Sequence, residues 1–125
     1  MIKLVIVDDD EDLLEMLTMV FRARGDTEIK GFARGSLLLE SLAIEKPDMV
    51  LMDIYLGDSD GRNLCRKLKN SQEYSAIPVI LYSAGNISKS SIVDSLADDF
   101  VHKPFDLSSL FSRIQQNLRK QRPSL

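Results

Sequence analysis

The 125 residues leave room for one folded domain, since soluble domains usually run to about 100–200 residues. The composition, 44% apolar and 28% charged, is that of an ordinary globular protein, and a net charge of -3 from 16 Lys and Arg against 19 Asp and Glu excludes the positive field that direct nucleic-acid binding needs. Apolar runs stop short of the roughly 18–20 residues of a membrane span, the start Met1-Ile2-Lys3-Leu4 lacks a secretory pattern, and the single Cys65 can form no internal disulfide, so a cytoplasmic protein held together by packing is expected.

In chain order, Ile2 to Val7 is an apolar, β-branched run of strand length that ends in four acids, Asp8-Asp9-Asp10-Glu11. A helical stripe follows, with Leu13, Met16, Leu17, Val20 and Phe21 on one face and Gly25 just past its end. Glu28 to Phe32 is a short second strand. Ser36 is placed to N-cap the next helix, which buries Leu38, Leu39, Leu42 and Ala43 and is ended by Pro47. Met49 to Met52 is the third strand and closes on Asp53; the loop Ile54 to Asp60 uses Gly57 and Gly61 for its turn before a helix bearing Leu64, Cys65 and Leu68. Cys65 there reads as a small buried hydrophobe. After the loop Asn70 to Ala76, Ile77 to Tyr82 forms a fourth strand leading into Ser83-Ala84-Gly85. A serine-rich helix from about Ser88 to Leu96 has only Ile92, Val93 and Leu96 to bury and should dock least firmly. Asp99 to Val101 is the fifth strand, ended by His102-Lys103-Pro104. The last helix buries Leu107, Leu110, Phe111, Ile114 and Leu118 ahead of a polar tail, Arg119 to Leu125, with Pro123 as a stop.

Five strands alternating with five helices, without hairpin signals, predict a doubly wound α/β fold whose parallel sheet is covered on both faces. Such folds bind ligands outside the carboxyl ends of their strands. The residues just after the strands are Asp8 and Asp9, Asp53, Ser83 and Lys103. Three carboxylates, a hydroxyl and an ammonium would thus share one pocket. Crowded carboxylates require a bound cation or a shifted pKa, and magnesium suits an all-oxygen site of this size. With the charge offset, one carboxylate can attack phosphorus while Ser83, Lys103 and the ion neutralise the equatorial oxygens. Taken singly, each residue has an ordinary explanation: the acidic block as a helix start, Asp53 as a loop acid, Ser83 as a turn residue, Lys103 as a surface lysine, His102 as a strand-end residue. Joint placement after separate strands is what points to phosphoryl transfer.

The pattern Val5-Ile6-Val7-Asp8-Asp9-Asp10, then Val50-Leu51-Met52-Asp53-Ile54 with Asp60-Gly61, then Leu81-Tyr82-Ser83-Ala84, then Ala97-Asp98-Asp99-Phe100-Val101-His102-Lys103-Pro104-Phe105, closely resembles the receiver domain of two-component response regulators. It spans almost the whole chain, implying a receiver over residues 1–121, a short tail over 122–125, and the flavodoxin-like strand order 2-1-3-4-5. The resemblance implies that Asp53 is the phosphoacceptor, taking its phosphoryl group from a sensor histidine kinase or a histidine phosphotransfer protein and losing it by slow self-dephosphorylation. Magnesium would be ligated by Asp9, Asp53 and the backbone carbonyl of Tyr55, with Asp8 bound through water. Ser83 and Lys103 would contact the phosphoryl group, Phe100 would swing inward as Ser83 moves, and the Lys103-Pro104 bond would be cis. The output would be a changed face made by the fourth helix, fifth strand and fifth helix.

On that face Asp98, Asp99, Arg113 and Arg119 resemble ion-pair positions of receivers that form homodimers, although Ser109 stands where that pattern usually has an acid. Gly57 replaces a proline common in the family, so a looser loop is expected. Tyr55 and Gly85 occupy positions that tune attack by water on the phosphoaspartate, and Tyr55 is expected to shield it. The output would pass to a downstream protein target or to a missing output domain. An alternative from another class is a phosphatase of the haloacid-dehalogenase type, with Asp8 as nucleophile and Asp10 as acid; it leaves Asp53 without a role and has Glu11 where glycine is usual.

Overall fold

Side chains alternate along each central strand and divide the core in two. In β1 (Ile2–Val7), Val5 and Val7 enter one buried cluster while Leu4 and Ile6 enter the other. The computed structural model describes residues 1–121, so the expected tail over 122–125 lies outside the described residues. With β2 (Thr27–Phe32), β3 (Met49–Asp53), β4 (Val79–Ser83) and β5 (Asp99–His102), β1 forms a parallel sheet in the order β2-β1-β3-β4-β5, as expected. The helices α1 (Glu11–Arg24) and α5 (Leu107–Gln121) cover the Leu4 face with Leu17, Phe21, Leu110, Ile114 and Leu118. On the Val5 face, α2 (Gly35–Ile44) and α3 (Gly61–Lys69) contribute Leu38, Leu42, Leu64, Cys65 and Leu68. No helix among the described residues is long and apolar enough to cross a membrane.

The helix ends follow local chemistry. Asp10, Asp60 and Ser88 cap α1, α3 and α4 (Lys89–Ser95) by accepting the N–H groups of Leu13, Arg62 and Ser91. Gly25 ends α1 in the left-handed region, at φ 78°.

Several expectations are corrected. The loop after β3 contains a small antiparallel hairpin, Tyr55–Leu56 with Ser59–Asp60, around a Gly57-Asp58 turn; its arms of two residues are too short for alternation to register. Ser36 does not cap α2: Arg34 holds that position without a side-chain bond, and Asp58 from the hairpin accepts the Gly35 and Ser36 N–H groups instead. Met16 and Ala43 face solvent, and Ser41 takes the inward position expected of Ala43. Helix α4 buries neither Val93, 71% exposed, nor Leu96, 47% exposed. Its ties are polar, Arg66 Nε to the Asp94 carbonyl at 2.8 Å and Arg62 Nη1 to Ser91 Oγ at 3.3 Å. Finally, α5 stays helical through Gln121 instead of giving way to a tail at Arg119.

Candidate functional site

Sheet register assembles the site. Val7 pairs with Met52, Asp53 with Tyr82, and Ser83 with His102, so the next residues, Asp8 and Lys103, converge with Asp53 and Ser83 at the carboxyl edge. The strand order reverses between β1 and β3, the crevice where doubly wound folds bind ligands. The backbone N–H of Lys103 donates to the Ser83 carbonyl at 2.9 Å and ties the last two strands together there.

Asp8 is fully buried. Its Oδ1 accepts the Asp10 N–H at 2.8 Å, while Oδ2 accepts the Tyr82 hydroxyl at 2.7 Å and the Lys103 ammonium at 3.1 Å. The same Lys103 Nζ donates to Asp53 Oδ2 at 3.1 Å, and Asp53 Oδ1 accepts the Tyr55 N–H at 3.3 Å. Asp9 is exposed. Asp8, Asp9 and Asp53 each bring one carboxylate oxygen within 4.8 Å of the others, a donor set suited to a hard divalent cation.

Three carboxylates face one ammonium. Burial raises the Asp53 carboxyl above its ordinary value, and the Asp8 charge adds to this against the opposing pull of Lys103. For Lys103, burial favours the neutral amine, but its bond to Asp53 and the charges of Asp8 and Asp53 outweigh it and raise the ammonium's pKa. The lysine therefore stays charged and offsets part, not all, of the crowding.

Ser83 is buried at the end of β4, its Oγ accepting the Gly85 N–H at 3.2 Å. Phe100 is half-buried against the Val5-side core, and its ring meets His102 edge-on at 4.8 Å. The Lys103-Pro104 bond is cis. Tyr55 is 53% exposed, and its Cε2 lies 3.5 Å from where a Cβ on Gly85 would stand. Asp53, Asp8, Asp9, Ser83, Lys103 and Tyr55 thus gather at one edge, whereas Phe100 is set back along β5, opposite Leu81.

Sequence reasoning missed Tyr82 as a polar partner, because a tyrosine in an apolar strand carries no sign of where its hydroxyl ends. It also missed the close approach at Gly61, where a Cβ would intrude on the Asp53 carbonyl; Asp60-Gly61 was the visible signal. Of the charged residues on the α4, β5 and α5 face, Asp99 pairs with Arg113 and accepts from Asn117, while Asp98 turns inward to Lys69 at 2.6 Å and the Val79 N–H. Cys65 is buried and its thiol is pushed up to about 12, the inert packing residue expected.

The family model of the response regulator receiver domain matches residues 4–115. Among curated proteins, the chain is 36% identical over 121 residues to the DNA-binding response regulator MtrA of Mycolicibacterium smegmatis, covering 94% of this chain and 51% of that protein. The chain spans about half the length of the curated relatives it matches. Among solved structures, the BeF3-activated receiver domain of Klebsiella pneumoniae RstA aligns with a TM-score of 0.80 at 30% identity, covering 94% of this chain and 98% of that one. A two-component response regulator from Clostridium difficile gives 0.87 at 25% identity, covering 98% and 100%. Nothing in these matches supports the phosphatase alternative, in which Asp8 would be the nucleophile. The chain belongs to the response regulator receiver domain family, the receiving module of phosphorelay signalling.

Proposed function

We propose that Asp53 is the phosphoacceptor of this receiver and that the domain occupies residues 1–121. The observation that carries this reading is the Lys103 ammonium shared at 3.1 Å between Asp53 and Asp8, with Asp9 completing an oxygen cluster within 4.8 Å. An Asp53 oxygen attacks the phosphorus of a phosphohistidine on a sensor histidine kinase or histidine phosphotransfer protein. The P–O bond forms as the P–N bond breaks, and the imidazole nitrogen keeps the bonding pair. Lys103 and the Ser83 hydroxyl donate to the phosphoryl oxygens as their charge grows.

The donor set fits magnesium: Asp9 has no hydrogen-bond partner among the described residues and stands open for direct ligation, together with Asp53 and the Tyr55 carbonyl. Asp8, already bonded to Asp10, Tyr82 and Lys103, is suited to hold a metal-bound water. When bound, the ion supplies charge neutralisation at the phosphoryl oxygens. Slow self-dephosphorylation follows from water reaching the same acyl phosphate.

Drawing Ser83 toward the new phosphoryl group opens space for Phe100 to move inward, and the weakly buried α4 shifts with β5 and α5. The relatives' DNA-binding names and twofold greater length support coupling of this receiver to an output domain or a downstream protein target. A homodimer through the α4, β5 and α5 face is a second element of this reading. Asp99 and Arg113 would exchange partners there, and light scattering with beryllium fluoride and magnesium that shows only monomer would exclude it.

Intact mass after incubation with acetyl phosphate and magnesium tests the main reading. One added phosphoryl group is expected, dependent on magnesium and lost in Asp53→Asn. Release of phosphate without an adduct, stopped by Asp8→Asn but not by Asp53→Asn, would overturn it.

A further inference from the structure

Tyr82 is fully buried in the core cluster beneath α1 and α5. A phenylalanine would fill that space without a hydroxyl to satisfy, and a buried hydroxyl left unpaired is costly. Here it has a partner: the O–H donates to Asp8 Oδ2 at 2.7 Å, from a residue 74 positions away in the chain. The ring is used as well. Lys103 Nζ stands 4.7 Å from its centroid, within cation–π range, and Phe105 meets it edge-on at 5.9 Å and fixes its plane.

We propose that Tyr82 is a positioning residue of the phosphoryl-transfer site, its hydroxyl holding Asp8 in place for a hydrated magnesium ion and its ring seating Lys103 between Asp8 and Asp53. This rests on the metal reading above. A carboxylate offers about four acceptor sites, and Asp10, Tyr82 and Lys103 occupy three of those on Asp8. One is left, on Oδ1, enough for a metal-bound water. Without the hydroxyl, the remaining donor at Oδ2 is Lys103; Asp8 and the ammonium would close on each other, and both Asp53 and the ion would lose a partner.

Titration calorimetry with magnesium on the full chain tests this in four proteins: wild type, Tyr82→Phe, Asp8→Asn and the double variant. Melting in EDTA checks that each is folded. Loss of an outer partner of a metal site typically weakens affinity about 10–100-fold, so Tyr82→Phe is expected to bind magnesium about tenfold more weakly than wild type. In the Asp8→Asn background the same change should have no further effect, because Tyr82 acts through Asp8. A Tyr82→Phe dissociation constant within twofold of wild type overturns the inference. So does an equal loss in both backgrounds, which would mark the change as a general loosening of the core. Wild type that takes up no magnesium would instead remove the metal reading itself, and this inference with it.

Discussion

The carboxylate of Asp58, at the tip of the hairpin after β3, accepts the backbone N–H of Gly35 at 2.9 Å and so caps a helix from another part of the chain. The Ser36 N–H adds a second bond at 3.2 Å. The hairpin that begins two residues after Asp53 is thereby fastened to α2, and the looser loop expected from Gly57 is tied down at the next residue. Gly35 packs closely against the hairpin and α3, since a Cβ there would press on the Ser59 hydroxyl and a Leu64 methyl, which would have to shift.

The Gly35 N–H first, then the Ser36 N–H and the Ser59 hydroxyl, hold the Asp58 carboxyl down to about 2 against the effect of burial. A carboxyl depressed in the folded state adds stability above its unfolded value of about 3.9, and that contribution is lost as pH falls through the folded value. Asp58→Asn should therefore be less stable than wild type at pH 7. The gap in urea midpoint should hold down to about pH 4 and narrow from there toward about pH 2. A gap that does not change across this window would show that the capping charge contributes nothing.

Gly57 in the hairpin turn and Gly61 at the start of α3 should respond to substitution in opposite ways. A Cβ on Gly61 would intrude on the Asp53 carbonyl and the Ile54 backbone, neither of which can give way without moving the acceptor. Gly61→Ala should cost about 1–3 kcal/mol in denaturant unfolding and sharply slow acetyl phosphate labelling. At Gly57 nothing lies within 4 Å and the backbone is outside the left-handed region, so alanine mainly restricts the unfolded chain. Gly57→Ala should be neutral or gain about 0.4–1 kcal/mol, with labelling unchanged.

Much of this was legible in the sequence because strand order and site depend on features that repeat along the chain. Val5, Val7, Val50 and Met52 announce a buried parallel sheet, and the acids, Ser83 and Lys103 fall at strand ends that such a sheet must gather. What was not legible depends on single contacts across the chain. Ser36 looks like a cap because local pattern cannot show that Asp58, 22 residues on, supplies the acceptor. Val93 and Leu96 look like core because periodicity cannot show that Arg62 and Arg66 tie α4 down by polar contacts. Tyr82 looks like one more apolar strand residue because its sequence neighbours say nothing of Asp8.

Charge crowding predicts a trade between function and stability at Asp53. Its carboxyl is raised by burial and by Asp8, so ionising it costs stability in the folded protein. For a raised carboxyl that cost is absent below the unfolded value of about 3.9, grows as pH rises from there, and is complete above the folded value. Without metal, Asp53→Asn should melt at a higher temperature than wild type at pH 7, with the difference closing as pH approaches about 4. Added magnesium should raise the wild type toward the variant. Equal melting of the two proteins in EDTA at pH 7 would mean that Lys103 compensates the cluster fully.

Tyr55 and Gly85 face each other across the mouth of the site. The ring edge stands 3.5 Å from the Cβ position of Gly85, and that position is 3.8 Å from Ser83 Oγ, so an alanine side chain would bridge ring and hydroxyl at ordinary contact distance. The ring is itself steadied: the Arg62 guanidinium lies 5.7 Å from its centroid and is forked onto the Asp60 carboxylate by bonds of 3.0 and 2.7 Å. If the Tyr55 ring screens the phosphoryl group from water, removing it should speed hydrolysis and filling the gap beside it should slow hydrolysis. Tyr55→Ala is expected to shorten the half-life of the phosphorylated protein roughly threefold to tenfold, at most about 1.4 kcal/mol of barrier. Gly85→Ala should lengthen it by a similar factor while leaving the labelling rate unchanged. Loss of phosphate from protein purified away from acetyl phosphate, followed by intact mass, measures both. Identical half-lives in wild type and Tyr55→Ala would place the attacking water on a path that the ring does not cover.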